Sequence, residues 1–75
     1  MEVFPGISID PGVRSGTACI SGTRVDVATI LGALSAGDSV DTVDAEFALS
    51  RDQIRAALAY ASHVVGQPQR SVTVD

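Results

Sequence analysis

The sequence predicts a mainly α domain: a three-helix, helix-turn-helix core behind a short N-terminal β-hairpin. Two observations predict the helical part. Residues 39–65 read as a short helix, a tight turn and a longer helix, with Ser50 and Gln53 spaced as a capping box that opens the longer one. Upstream, Val27, Ile30, Leu31 and Leu34 fall at i, i+3, i+4 and i+7, the apolar stripe of another helix. The hairpin rests on a third observation. Ile7 and Ile9 alternate around Ser8, and residues 17–20 are small and β-forming, with turn chemistry between and after them.

Taken in order, residues 7–9 form one short strand and residues 17–20 a second that pairs with it. Asp10-Pro11-Gly12 turns the chain: Asp bonds its own backbone, Pro presets φ and Gly accepts φ > 0. Ser15-Gly16 extends that loop, and Ser21-Gly22 is a further turn. Two such strands are marginal alone and must lie on the helices or on another subunit. Asp26 is the N-cap of a helix over 27–36, and Gly37 its left-handed terminator. Asp38-Ser39 caps a helix over 40–47, with Val40, Val43 and Phe47 on one face, and Ala48-Leu49 is the turn. The third helix spans 51–64, with Ile54, Ala57, Leu58, Ala61 and Val65 as its core stripe; Gly66 ends it and Pro68 prevents its resumption. The chain divides into an arm (1–25), a three-helix core (26–65) and a tail (66–75).

Composition narrows the function. Seventy-five residues make one small domain, which buries only roughly 60% of its unfolded surface and gains from a partner or a homodimer. Nine Asp and Glu oppose five Arg, with no Lys, a net charge of −4. That balance argues against a freestanding nucleic-acid binder, though a dimer or complex can gather arginines on one surface. The single cysteine, Cys19, excludes an internal disulfide and reads as a small buried hydrophobe. No apolar run is long enough to span a membrane, and MEVFPG does not resemble a signal peptide, which places the protein in the cytoplasm. His63, near a helix C-terminus, is a dipole-compatible surface group, and Asp41 and Asp44 read as a solvated acidic face. No catalytic constellation, metal-ligand set or cofactor-binding loop is visible, so an enzyme is not expected.

Three places remain as candidate sites. Arg51, Arg55 and Ser62 lie on the side of the third helix opposite its stripe. The two arginines sit where a recognition helix reads DNA, although Asp52 beside them opposes it, and the face also reads as plain solvated surface. Arg24, between a glycine turn and a helix start, either fixes the corner by bonding carbonyls or a carboxylate, or meets a partner's anionic group. The tail, with Arg70, Val72 and Val74, is either a frayed terminus or a strand added to a partner's sheet.

The succession Ile9-Asp10-Pro11-Gly12-Val13, Gly16, Ile20-Ser21-Gly22-Thr23-Arg24-Val25-Asp26-Val27, Gly37-Asp38-Ser39-Val40 and Leu49-Ser50-Arg51-Asp52-Gln53-Ile54-Arg55-Ala56-Ala57-Leu58-Ala59-Tyr60-Ala61 resembles the domain of unknown function 433 family over about residues 7–62. It departs at Ala18, Asp26 and Phe47-Ala48, where that family commonly carries proline or Tyr-Pro. The resemblance implies a homeodomain-like, hairpin-flanked helix-turn-helix in a prokaryotic protein. It further implies an antitoxin of the VapB type, which silences a PIN-like ribonuclease toxin and binds its own operator DNA. A pure interaction or dimerisation module without DNA binding is the alternative that the acidic charge favours.

Overall fold

The computed structural model describes residues 1–68. Three short strands, β1 (Glu2–Phe4), β2 (Ile7–Ser8) and β3 (Cys19–Ile20), precede three helices, α1 (Val27–Ser35), α2 (Val40–Phe47) and α3 (Arg51–Val65). The strands form one antiparallel sheet in the order β1-β2-β3. The expected pairing is present, with Ile7 opposite Ile20 and Ser8 opposite Cys19. The sheet also has a strand that the periodicity did not reveal. Pro5-Gly6 turns the chain so that Phe4 faces Ile7, and Gly6 has φ +82°. A side chain there would also lie 3.0 Å from the Ala56 Cβ of α3, so glycine lets this turn sit directly on the helix.

The helix boundaries follow from local chemistry. Asp26 accepts the Thr29 N–H at 2.8 Å, and Ser39 accepts the Thr42 N–H at 3.1 Å. Ser50 and Gln53 complete the capping box at 3.2 and 2.8 Å. α1 ends in a Schellman motif: Asp38 N–H donates to Ala33 C=O and Gly37 N–H to Leu34 C=O, with Gly37 at φ +106°.

Ile7, Ile20, Val27, Ile30, Val43, Leu49, Ile54 and Ala57 form the core. The sheet is therefore a wall of the core and not a detached arm, and it lies on α3 as two weak strands require. Leu49, read as a turn residue, is buried and anchors the α2–α3 turn. The α3 stripe is the main correction. Ile54 and Ala57 are buried and Tyr60 and Ala61 half-buried, but Leu58 is 43% and Val65 72% exposed. The core lies on the Ala57 side of Ile54, which leaves Leu58 on the flank. Among the described residues no helix is long and apolar enough to cross a membrane.

Candidate functional site

The outward side of α3 is electrically compensated. Arg51 reaches back to α2, where it bonds Asp41 and lies 3.7 Å from Asp44. Asp41 and Asp44 are therefore not a free acidic face: Asp44 is only 19% exposed, and its Oδ1 is buried without a hydrogen-bond partner. An arginine on α3 lies close enough to engage both carboxylates, which reading α2 alone could not show. Arg55 lies 3.9 Å from Asp52 one turn away, both well exposed. Ser62 is exposed further along. Leu58 and Val65, seven and fourteen residues after Arg51, fall on nearly the same strip. Arg51, Arg55 and Ser62 thus do share a face, but one of paired charge and exposed aliphatic side chains.

A second region is built around the start of α1. Arg14, Ser15 and Gly16 all have left-handed backbone, at φ +51°, +56° and +83°. The turn is closed by Thr17, whose N–H and hydroxyl both donate to the Arg14 carbonyl, at 3.1 and 2.7 Å. It places the Arg14 guanidinium 2.9 Å from Asp26 Oδ2. Asp26, 8% exposed, thus has Oδ1 on the Thr29 N–H and Oδ2 on Arg14. Hydrogen bonds from Thr29 hold its carboxyl below the usual carboxylate value; burial works against them, and Arg14 adds to them. The sequence alone gives only an arginine twelve positions before a capping aspartate, with nothing local to pair them.

Arg24 does not hold this corner. Thr23 does: its hydroxyl donates to the Ile20 carbonyl at 2.8 Å and accepts the Val25 N–H at 3.1 Å. Among the described residues Arg24 is the one arginine with no carboxylate partner, and it is exposed. It stands between two hollows. One, of about 390 Å³, faces β2, β3 and the Asp10 loop; the other, of about 270 Å³, also has Arg14 on its rim and Val25 and Phe47 in its lining.

A third feature is an open groove of about 280 Å³ between α1 and the end of α3, lined almost wholly by apolar surface from Ala18, Val27, Leu31, Tyr60, Val64 and Val65. Above α3, Phe4 meets the Tyr60 ring edge-on at 5.6 Å and lies 5.3 Å from the His63 ring, so His63 is a packing partner of the sheet. Cys19 is buried, with its thiol on the Thr17 carbonyl. Among the described residues no group of three or more His, Cys, Asp or Glu side chains could hold a metal ion. Arg70, Val72 and Val74 lie outside the described residues.

The sequence model of a family described as "Protein of unknown function (DUF433)" matches residues 7–61. The chain belongs to that family. The match runs from β2 through the Arg14–Asp26 corner and most of α3. Two solved structures are similar. A DUF433 member from Anabaena variabilis ATCC 29413 is 30% identical with a TM-score of 0.76, over 83% of this chain and 62% of that one. Rv2018 from Mycobacterium tuberculosis is 35% identical with a TM-score of 0.63, over 69% of this chain and 24% of that one. The chain therefore spans under two thirds of the first and about a quarter of the second. No curated protein is similar to it in sequence.

Proposed function

We propose that this domain is a protein-binding antitoxin, a cytoplasmic homodimer that covers a PIN-like ribonuclease toxin. The observation that carries the protein-binding part is the apolar groove between α1 and α3, whose lining includes the exposed Val64 and Val65. Contiguous exposed aliphatic surface on a small domain marks a contact with another chain. The toxin class comes from the family resemblance, and a net charge of −4 suits covering a basic RNA-binding surface. Co-expression with a PIN-like ribonuclease encoded beside the gene tests the reading. The two should co-purify, ribonuclease activity should fall, and Val65→Glu should release the toxin. A ribonuclease that neither binds nor loses activity overturns it.

Operator binding in a homeodomain-like mode is the second reading. It is favoured by the capped α3 following a short α2, and by Arg55, whose 3.9 Å pair with Asp52 is loose enough to be exchanged for phosphate. Arg51 can join only by leaving Asp41 and Asp44. A salt titration with upstream DNA decides it: phosphate contacts weaken steeply as salt rises, and Arg55→Ala should lower the slope. Salt-independent or absent binding leaves the interaction module without DNA.

A further inference from the structure

We infer that the hollow beside α1, between Arg14 and Arg24, is a docking site for an acidic peptide segment of a protein partner, one that presents a carboxylate next to an aliphatic side chain. The charge of the lining sets the first requirement. Asp26 is its one carboxylate, and both its oxygens are engaged, one by the Thr29 N–H and one by Arg14. Arg14 donates to Asp26 through Nη2, and its side chain is half exposed. Arg24 has no described ion-pair partner at all. Two guanidiniums against one satisfied carboxylate leave a single net positive charge, in a chain that is otherwise strongly acidic. Planar guanidinium groups match a carboxylate in two-pronged geometry.

The floor sets the second requirement. Val25 and Phe47 line the hollow and are packed against the core, so they offer a fixed apolar surface beside the charge. A peptide residue pair such as Leu-Asp satisfies both features at once. A polyanion is less suited, because α2 and the start of α3 carry Asp41, Asp44, Glu46 and Asp52.

The arginines are held for this at a cost. Arg14 and Ser15 keep left-handed backbone, which L side chains rarely adopt. That turn sets Arg14 on the rim. Thr23 carries the corner's hydrogen bonds, which leaves Arg24 clear of them.

This inference rests on the reading that the domain binds protein, but the test uses a small probe, so its failure leaves the ribonuclease experiment standing. The full chain, labelled with nitrogen-15, is titrated with acetyl-Leu-Asp-amide while amide and Arg Nε–H signals are followed. The signals of Arg24, Val25 and Thr29 should move and saturate, with a dissociation constant on the order of 1 mM for a ligand of this size. Acetyl-Leu-Asn-amide should bind at least about ten-fold more weakly, since a charge-assisted bond is lost. Arg24→Ala should abolish the shifts with an otherwise unchanged spectrum, Arg24→Lys should weaken them, and Arg55→Ala should leave them as they are. Equal response to the Asp and Asn compounds overturns the inference. So does an unchanged titration in Arg24→Ala, or movement of the same signals by inorganic phosphate or a short DNA duplex at equal or lower concentration.

Discussion

Two corners of this domain solve one problem with different materials. At the first, residues 13–26, an arginine clamps the carboxylate that starts α1. At the second, residues 41–51, an arginine at the start of α3 clamps two carboxylates of α2. Both hold non-glycine residues in left-handed backbone: Arg14 and Ser15 at the first, Ala48 at the second, each at φ between +51° and +56°. The carboxylates differ. Asp26 is 8% exposed with both oxygens bonded, whereas Asp41 is 80% exposed and its pair with Arg51 lies in solvent. Burial of the acid thus makes the Arg14–Asp26 pair part of the folding energy and the Arg51–Asp41 pair a surface contact, with Asp44, 19% exposed, between the two.

The largest effect that tests this contrast is Asp26→Ala. It removes the cap of α1 and leaves the Arg14 guanidinium without its acid, and it should cost about 1–2 kcal/mol. Thermal melts followed by circular dichroism read that as a fall in Tm of several degrees or more. Asp26→Asn should cost less, because Asn still caps. If Asp26→Ala costs no more than Arg51→Ala, the two corners are energetically alike and burial is not the cause.

The same residue gives a pH signature. Asp26 has a folded pKa below its ordinary value of 3.8. Its contribution is therefore complete above that value, begins to fall as the pH drops below about 4, and is lost as the pH passes through the folded pKa. The stability gap between the native chain and Asp26→Asn should be widest at neutral pH and close as acid protonates the Asp26 carboxyl. A gap that is constant with pH, or widens in acid, would mean that the bonds to Asp26 do not favour its ionised form.

The left-handed residues come next. Ala48 closes α2 at φ +56°, and Ser15 sits in the Arg14 turn at the same φ. Glycine has no Cβ to strain there, although it adds entropy to the unfolded chain. Ala48→Gly should stabilise by about 0.5–1 kcal/mol, and Ser15→Gly by a similar or smaller amount. The acetyl-Leu-Asp-amide titration separates them further, since Ser15→Gly loosens the turn that sets Arg14 and Ala48→Gly does not.

What could be read from the sequence divides along the same line. The caps at Asp26, Ser39 and Ser50 and the glycine after α1 were legible, because each depends on residues within three or four positions. β1 was not: three residues ahead of a Pro-Gly turn show no periodicity of their own, and their strand character comes from facing β2, with Phe4 against Tyr60 and His63 of α3. Leu58 was misplaced because a wide apolar stripe does not say which of its edges meets the core. Arg14 was invisible, since its pairing with Asp26 depends on two left-handed residues that no local rule selects. The motif around Arg24 offers two roles, fixing the corner or meeting a partner's anionic group. The neighbouring threonine takes the corner-fixing one, and the outward role is a proposal.

The smallest effect is the most demanding test of the contrast. Arg51→Ala removes a pair of exposed side chains and a 3.7 Å contact to Asp44. In high dielectric such pairs are worth a few tenths of a kcal/mol, and salt screens them. The loss should therefore stay under about 0.5 kcal/mol at low salt and vanish near 1 M salt, where the Debye length is about 3 Å. Asp44 complicates this, because its buried Oδ1 has no partner and depends on the nearby guanidinium to offset the charge. A double-mutant cycle between Arg51→Ala and Asp44→Asn separates the two contributions. Coupling near zero keeps the second corner a surface pair and frees Arg51 to exchange its carboxylates for an external anion. Coupling above about 1 kcal/mol that persists in high salt makes Arg51 a structural clamp. In that case the proposed operator reading keeps only Arg55 at the start of α3.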